Sequence, residues 1–369
     1  MAAVVFDAEV LSREERIPAQ FVWPAEERAP AGVEEMDIPV VDLGEFLRGG
    51  GAGGLPRGVA EACERHGFFL VVNHGVDPAL LAAAYSCCAA FYARPLAEKQ
   101  RAQRRPGESH GYASSFTGRF SSMLPWKETL SFHCSDAPGA ERAVADYFVT
   151  VLGEDYRHMG EGYQAYCDAM VRLALDVTEV PAAALGLGRG ALRGFFAGGD
   201  SVMRLNHYPP CRQPHLALGT GPHRDPTSLT LLHQDGVGGW RAVRPHADCF
   251  VVNIGDTFAA LTDGRHASCL HRAVVSGAAA RTSLSFFLNP PLDRAVRPPD
   301  ALLAAAGGGR PRAYPDFTWR EYLRFTQTCY RSDAVTMDAF VSWIAATRGG
   351  GCGRDDDRHG CQAEDEESK

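Results

Sequence analysis

Residues 221–229, GPHRDPTSL, place His223 and Asp225 two positions apart at the start of a segment in which polar and apolar residues alternate. In a strand, residues i and i+2 point to the same face, so both side chains can reach one ion from a single strand end. The same spacing recurs at His233 and Asp235 and at His246 and Asp248. A His-x-Asp pair is more often a solvated strand end than a pair of metal ligands. The spacing alone leaves both interpretations open.

The segments around this stretch resemble short strands, because apolar runs separated by Gly, Pro and Asp follow Val202. These runs are SVMRLNHY, SLTLLHQ, CFVVNIGD, HRAVV and TSLSFFL. Short strands at close spacing without intervening helices predict an all-β region, either a jelly roll or a barrel. Helical patterns come earlier in the chain, and we expect those helices to pack against the outside of the β region. The predicted fold class is therefore mainly β with flanking helices.

Composition and periodicity divide the chain into five segments. Residues 1–36 are rich in Pro, Glu and Ala with weak periodicity, and they are predicted to be poorly ordered. Residues 37–200 are predicted to form an α/β region that packs on the core, and residues 201–300 to form the β core itself. Residues 301–347 are predicted to be helical, and residues 348–369 to be a disordered acidic tail.

Four elements are predicted within the α/β region. A helix is expected from Pro56 to His66, followed by a buried strand in FFLVVNH. Asp77 is expected to cap a helix that runs to about Arg94, because a capping side chain followed by Pro favours a helix start. A further helical stretch is expected over residues 155–185, where apolar residues recur every three or four positions.

Composition favours a soluble globular protein. The 369 residues are 45% hydrophobic and 22% charged, with a net charge of −8 and no clustered basic stripe, which argues against a nucleic-acid partner. No run of about eighteen apolar residues is present, so neither a membrane partner nor a secretory signal is expected. The eleven cysteines are an odd number without a Cys-x-x-Cys pair and are interpreted as reduced thiols. We expect a cytoplasmic protein.

A third candidate ligand lies downstream, in LHRAVV, where His271 sits within an apolar strand. Such an imidazole needs a partner, and a backbone carbonyl could supply it as well as a metal could. Ten residues later the strand RTSLSFFL carries Arg281 and Ser283 on one face, a guanidinium beside a hydroxyl that suits a carboxylate. Two imidazoles and one carboxylate leave open positions on a metal. This favours non-haem Fe(II) and oxygen chemistry with a dicarboxylate cosubstrate.

Residues 37–345 resemble plant dioxygenases that depend on 2-oxoglutarate and Fe(II), and more narrowly the gibberellin 20-oxidase family. The motifs that carry the resemblance are IPVVDL, CERHGFFLVVNHGV, NHYPPC, HRDPTSLTLLHQDGVGG, VVNIGDTF, SCLHRAV and YPDFTW. The iron and cosubstrate motifs belong to the wider superfamily, whereas LPWKETLSF at residues 124–132 resembles the gibberellin 20-oxidases specifically. The resemblance implies a double-stranded β-helix (jelly roll) core.

Carried over position by position, the resemblance implies a catalytic iron held by His223, Asp225 and His271. It also implies a 2-oxoglutarate site, whose residues are Arg281, Ser283, Asn206 and Tyr208. The family has Tyr where this chain has His207, but the two contacting positions in NHYPPC are intact. The implied reactants are O2 and a diterpenoid carboxylic acid that is oxidised at carbon-20 during gibberellin biosynthesis. Ascorbate is expected to support the activity.

The substrate contacts are predicted from LPWKETLSF alone. A compact apolar carboxylic acid needs apolar walls and a positive contact, and Trp126 and Lys127 suit these two tasks. The alternative is a loop in which Trp126 fills a gap in the core and Lys127 is solvated.

One departure from the family concerns the junction of Gly239 and Trp240. About eight residues, the length of two short strands and a turn, are missing there by comparison. Losing a strand exposes unpaired backbone groups, which leaves open a non-catalytic relic of a dioxygenase that serves as a binding partner. A dioxygenase acting on another gibberellin position or on a flavonoid is the nearest enzymatic alternative.

Overall fold

The computed structural model describes residues 6–11, 13–28, 36–49, 54–105, 107–115, 123–234, 248–305, 311–329 and 336–349. The junction at Gly239 and Trp240 lies outside these residues, as does His246. The acidic tail lies outside them from residue 350 onward. What the sequence predicts for the junction and for the tail therefore stays a prediction.

The described strands form one large mixed sheet and two small ones. Their bounds are β1 (Val40–Asp42), β2 (Phe68–Val72), β3 (Gly111–Ser114), β4 (Glu128–Cys134), β5 (Ser201–Tyr208), β6 (Leu218–His223), β7 (Leu229–Gln234), β8 (Phe250–Ile254), β9 (His271–Val274), β10 (Arg281–Leu288), β11 (Ala295–Val296) and β12 (Phe317–Thr318). The large sheet has the order β1-β2-β8-β7-β10-β5-β4-β3, while β6 pairs with β9 and β11 with β12.

Helices precede and follow the strands of the core. Their bounds are α1 (Ala8–Leu11), α2 (Leu43–Arg48), α3 (Val59–Arg65), α4 (Pro78–Tyr92), α5 (Leu96–Lys99), α6 (Ala143–Leu152), α7 (Arg157–Val177), α8 (Glu179–Ala184), α9 (Arg193–Phe196), α10 (Asp256–Leu261), α11 (Asp300–Ala305), α12 (Trp319–Cys329) and α13 (Thr336–Gly349). The predicted cap is present, because Asp77 Oδ1 accepts a hydrogen bond from Ala79 N at 2.8 Å. The single helix predicted over residues 155–185 is divided between α7 and α8.

The chain alternates between the large sheet and the β6–β9 sheet. It passes from β5 in the large sheet to β6 in the small one and back to β7, and it repeats the excursion from β8 through β9 to β10. This is the connectivity of a double-stranded β-helix. All strand pairs of β5, β7, β8 and β10 are antiparallel, and their apolar side chains Leu205, Leu231 and Phe286 are fully buried.

The α/β region differs in one respect from the prediction that it packs on the core. Its strands β1 and β2 extend one edge of the large sheet, where β2 pairs with β8. Strands β4 and β3 extend the other edge, where β4 pairs with β5. An unpaired edge strand exposes backbone donors and acceptors, so this extension satisfies groups of the core strands that packing alone would leave unpaired.

The N-terminal segment is corrected by the structure, because its described residues are packed rather than poorly ordered. Phe6 and Phe21 are fully buried, and their ring centres lie 5.2 Å and 5.3 Å from that of Trp126. Trp23 lies against Gly221, where an added Cβ would come within 2.1 Å of the Trp23 ring. These aromatic contacts are too irregularly spaced to produce a periodic pattern, which is why the sequence suggested disorder.

Two composition-based expectations can be compared with the described residues. The eight cysteines whose side chains the structure describes are all free thiols, as expected. In the described part of the chain no single helix is long and apolar enough to cross a bilayer. Only Pro78–Tyr92 taken together with Leu96–Ala102 passes by length and composition, and the two are bent by 115°.

Candidate active site

The pairing of β6 with β9 brings the three candidate ligands together. His223 and His271 are direct partners across this pair, and Asp225 follows two residues after His223. His223 Nε2 lies 3.5 Å from Asp225 Oδ1, and His271 Nε2 lies 3.9 Å from Asp225 Oδ2. One potential ligand atom from each residue lies within 4.8 Å of the others. Among the described residues this is the one group of His, Cys, Asp and Glu that could hold a metal ion.

Backbone carbonyls orient both imidazole rings. His223 Nδ1 lies 2.9 Å from Gly221 O, and His271 Nδ1 lies 3.1 Å from Cys269 O. A carbonyl can only accept a hydrogen bond, so each Nδ1 carries the proton and each Nε2 keeps its lone pair for the cluster. This is the usual arrangement around a metal-binding histidine. The carbonyl partner considered as the alternative to a metal for His271 is therefore present together with the ligand arrangement.

The electrostatics of the cluster favour the protonation states that metal binding needs. Burial raises the pKa of the Asp225 carboxyl, but His271, His223 and the Thr230 hydroxyl lower it by more, so its pKa lies well below the usual range. Thr230 Oγ1 donates to Asp225 Oδ2 at 2.5 Å. Burial and His223 lower the pKa of His271 to about 4, against the opposing effect of Asp225. A charged carboxylate beside a neutral imidazole is a ready ligand pair.

This donor set fits Fe(II). Two imidazole nitrogens and one carboxylate on one side of an ion leave positions for a cosubstrate and oxygen, as in non-haem iron oxygenases. Backbone packing supports the Asp225 loop, since a Cβ on Gly255 would lie 2.7 Å from Asp225 O and 2.1 Å from Thr227 O. Asp256 N also donates to Asp225 O at 2.8 Å. The loop is therefore held against the start of α10.

The four predicted cosubstrate residues form two cross-strand pairs. Arg281 of β10 lies opposite Tyr208 of β5, and Ser283 lies opposite Asn206. The Arg281 guanidinium carbon is 4.8 Å from the centre of the Tyr208 ring, and Asn206 Nδ2 donates to Ser283 Oγ at 3.3 Å. Because residues two apart on a strand share a face, all four side chains lie on the same side of the sheet.

Arg281 is buried and oriented by β7. Its Nε and Nη2 donate to Gln234 Oε1 at 3.1 Å and 2.7 Å. Burial raises the pKa of the Tyr208 phenol, but the positive charges of Lys127 and Arg281 lower it by more, so the net shift is downward. A buried guanidinium beside a phenol of lowered pKa is a strongly polar site, and a carboxylate of 2-oxoglutarate suits it.

A cavity of about 190 Å³ adjoins the metal cluster, because His223 and Asp225 are part of its lining. Three cations, from Lys127, Arg104 and Arg204, share this lining with apolar side chains. The apolar lining residues are Val202, Pro226, Phe287, Trp319 and Leu323. Apolar walls with a few charged groups are typical of a site for a small amphipathic molecule.

The two predicted substrate residues have different outcomes. Lys127 lines the cavity with 4% exposure, and its Nζ donates to Thr220 Oγ1 at 2.8 Å, so it is not solvated. Trp126 is outside the cavity lining, and its indole Nε1 donates to Pro209 O at 3.1 Å within the N-terminal aromatic cluster. The prediction of a substrate contact for Trp126 is therefore corrected, because this side chain fills a gap in the core.

The sequence interpretation missed three residues. Thr230 bonds the Asp225 carboxylate, Gln234 bonds Arg281, and Arg204 lines the cavity. Arg204 could have been found from strand periodicity, because it lies two positions before Asn206 on β5. The other two have no local signal, since their partners lie on other elements or beyond a turn.

Two family models match the chain. Residues 199–290 match the 2OG-Fe(II) oxygenase superfamily, and residues 38–149 match the N-terminal model of a non-haem dioxygenase in morphine synthesis. Among curated relatives, gibberellin 20 oxidase 3 of Oryza sativa subsp. japonica is 74% identical over 367 residues, covering 95% of this chain and 98% of the relative. Gibberellin 20 oxidase 2 of Arabidopsis thaliana is 50% identical over 349 residues, covering 92% of this chain and 91% of the relative.

Solved structures match the fold. The crystal structure of JOX2 in complex with 2OG, Fe and JA has a TM-score of 0.74 at 27% identity, covering 90% of this chain and 97% of that one. The rice dioxygenase for auxin oxidation has a TM-score of 0.63 at 29% identity, covering 79% and 95%. With the alternation of strands between two sheets, these matches confirm the predicted jelly-roll core with flanking helices.

Proposed function

The chain belongs to the gibberellin 20-oxidase family of 2-oxoglutarate- and Fe(II)-dependent dioxygenases, and we propose that it oxidises carbon-20 of gibberellin precursors. The observation that carries this proposal is the His223, Asp225 and His271 cluster at the wall of a cavity that is both apolar and cationic. The substrate is a diterpenoid carboxylic acid, whose hydrocarbon skeleton and charge suit that lining.

Each group of side chains has one task. His223, Asp225 and His271 hold the iron, and Arg281 with Ser283 holds the distal carboxylate of 2-oxoglutarate. Asn206 and Tyr208 complete that site from the neighbouring strand. Iron bound with 2-oxoglutarate supplies the activation of O2 that protein side chains cannot provide. The protein contributes binding, orientation and exclusion of water, since the clamp residues Arg281 and Ser283 are 4% and 0% exposed.

The reaction proceeds by successive oxidations of one carbon. Each oxidation consumes one O2 and one 2-oxoglutarate, which leaves as succinate and CO2. The substrate carbon passes from methyl to alcohol and then to aldehyde, and a further oxidation cleaves it from the skeleton as an oxidised one-carbon product. Because one carbon is oxidised repeatedly, the cavity has to return it to the same position beside the iron. A substrate fixed by its carboxylate and by rigid apolar walls meets that requirement.

Mass spectrometry of a defined reaction tests the proposal. The purified protein is incubated with a carbon-20 gibberellin precursor, 2-oxoglutarate, ascorbate and Fe(II), and alcohol, aldehyde and carbon-20-free product are expected in that order. Oxidation at another gibberellin position, or of a flavonoid with the precursor untouched, would replace the substrate assignment within the same reaction class. Iron-loaded, folded protein that does not consume 2-oxoglutarate with any of these would support the non-catalytic alternative that Gly239 and Trp240 raise.

Two accessory features belong to the same proposal. Ascorbate supports activity by keeping the iron reduced, and its omission is expected to lower the rate over successive turnovers. The protein acts in the cytoplasm, a reducing compartment that suits its free thiols. A fluorescent fusion that accumulates inside a secretory or other membrane-bound compartment would overturn the location.

A further inference from the structure

The inward face of β5 continues beyond the cosubstrate site into the cavity. Residues two apart on a strand share a face, so Val202 and Arg204 lie on the same side of the sheet as Asn206 and Tyr208. Val202 and Arg204 both line the cavity. Arg204 and Tyr208 are four positions apart, or about 13 Å along an extended strand. A second cation therefore lies well beyond the Arg281 clamp, on the substrate side.

Arg204 is held by its neighbours on both sides. On β4, Ser131 is its direct partner, and Arg204 Nε donates to Ser131 Oγ at 3.0 Å. The guanidinium carbon lies 5.0 Å from the centre of the Phe287 ring of β10. A hydrogen bond at Nε and a ring against the guanidinium fix the plane of the fork. A fixed fork loses little side-chain entropy when it binds a ligand.

A second guanidinium converges on the same point. Arg104, which precedes β3, donates from Nη2 to Ser131 Oγ at 3.2 Å, and it also lines the cavity. Two cations from different elements thus share one neutral hydroxyl. Like charges at such short range repel, and an anion between them turns that repulsion into two attractive, charge-assisted contacts.

Two carboxylates, those of Asp200 and Glu108, also line the cavity. Asp200 Oδ1 lies 2.9 Å from His133 Nδ1, and its Oδ2 accepts from Trp319 Nε1 at 3.4 Å. Glu108 Oε2 accepts from Arg105 N at 3.1 Å.

We infer that Arg204 and Arg104 form a carboxylate-binding subsite that anchors the diterpenoid acid, an inference that rests on the proposed function. Apolar side chains that include Phe287 and Val202 line the same cavity as the two arginines and the iron ligands His223 and Asp225. The skeleton of the substrate lies along these apolar side chains, and the anchored carboxylate determines which carbon faces the iron. Arg204 and Arg104 are substrate-binding residues that set the position of oxidation.

Substitution of either arginine tests the subsite. Arg204→Gln and Arg104→Gln are each expected to raise the KM for the precursor about ten- to hundredfold, the usual effect of losing a hydrogen bond to a charged group. Iron content and the KM for 2-oxoglutarate stay unchanged, because Arg281 and the metal ligands are intact. Arg193→Gln is the matched control, since Arg193 forms a surface pair with Asp176. An unchanged precursor KM in both cavity variants would overturn the inference.

A second experiment changes the substrate instead of the protein, and it separates this inference from the proposed function. The carboxyl groups of the precursor are converted to methyl esters, and the wild-type KM is expected to rise by a factor similar to that in Arg204→Gln. In Arg204→Gln, the KM for the acid and the KM for the methyl ester are expected to be similar. If the ratio of the ester KM to the acid KM is the same in the wild-type protein and in Arg204→Gln, the carboxylate binds elsewhere. If the wild-type protein oxidises neither, the proposed function fails before the subsite is reached.

Discussion

The proposed cosubstrate end and the proposed substrate end of the jelly-roll interior are built in different ways. At the cosubstrate end, all four side chains come from two paired strands, with Arg281 opposite Tyr208 and Ser283 opposite Asn206. At the substrate end, Arg204 still comes from strand β5, but Arg104 comes from a loop, Lys127 directly precedes β4, and Trp319 begins α12.

Because of this difference, the residues that determine the reaction class are held by the sheet, whereas many residues that determine the choice of substrate are held by loops and helix ends. A strand ladder fixes the relative positions of side chains through its hydrogen bonds, so the cosubstrate site cannot change without disrupting the sheet. Loops and helix ends can vary while the ladder is kept, which is how one fold supports many substrates. We expect substitutions at the two ends to affect different kinetic constants.

The largest effect on turnover is expected at the metal site, because both the cosubstrate and the substrate react there. His271→Ala should remove iron and abolish turnover, whatever substrate is offered. The loss should exceed the about 10- to 100-fold cost of removing a residue that only supports a ligand. Metal analysis and 2-oxoglutarate turnover measure it, with the exposed His158→Ala as the control. Full iron content in His271→Ala would remove this residue from the ligand set.

Arg281→Lys should affect the cosubstrate end alone. Lys lacks the planar fork, and a hydrogen bond to a charged group contributes about 1.5 to 3 kcal/mol, so the KM for 2-oxoglutarate should rise about ten- to hundredfold. The KM for the precursor should not change. Arg320→Lys, at an exposed pair with Asp293, is the control. Equal increases in both KM values would mean that the two ends are coupled.

Thr230→Val keeps the shape of the side chain and removes the hydroxyl that donates to Asp225. Outer partners of this kind typically contribute about tenfold or more to metal affinity. We expect iron affinity to fall about tenfold in a competition titration, while kcat at saturating iron changes little. The exposed Thr328→Val is the matched control. An unchanged affinity would show that the Asp225 carboxylate is oriented without Thr230.

Lys127 lines the cavity at the proposed substrate end and should give a pH signature. Burial lowers the pKa of Lys127 to about 8, so its ammonium is charged below that pH and neutral above it. The KM for the carboxylate substrate should therefore rise several-fold between pH 7 and pH 9. Lys127→Arg, which stays protonated, should remove this dependence. The same pH profile in that variant would assign it to another group.

The smallest effect on substrate binding is expected at Trp126, although its effect on stability is large. Removing a fully buried Trp or Phe side chain typically costs about 3 to 5 kcal/mol. Trp126→Ala should therefore lower the free energy of unfolding by a similar amount and leave the KM for the precursor unchanged. Trp343→Ala, at a position 42% exposed, is the control and should cost much less. A raised precursor KM with normal stability would return Trp126 to the substrate site.

The sequence predicted that Arg281 and Ser283 share one face of a strand, because that signal is local, while their role in binding 2-oxoglutarate stays part of the proposal. The i, i+2 spacing of Arg281 and Ser283 is a property of strand β10, whereas Asp225 lies in the loop that follows β6 and reaches the metal cluster from there. The neighbours Trp126 and Lys127 show the limit of that reasoning. Both residues were predicted to contact the substrate, but the packing of Phe6 and Phe21 against Trp126 places that side chain in the core.

The substrate end was predicted less completely because its contacts are non-local. Arg104 and Arg204 are distant in sequence, and only the β4–β5 register brings both to Ser131. The N-terminal segment shows the same limit, because Trp23 contacts Gly221 without any periodic pattern in its own sequence. Contacts of this kind depend on tertiary structure, which no local spacing encodes.

The pairing of His223 with His271 also has a consequence for folding. Strands β7 and β8 and helix α10 lie between the two histidines in the chain, so this contact closes a long loop and belongs to the late, entropically costly steps of folding. Iron that binds the paired histidines binds only the folded state, and it stabilises that state by mass action. At saturating iron, the iron content of a preparation therefore reports the fraction of molecules in which β6 has paired with β9.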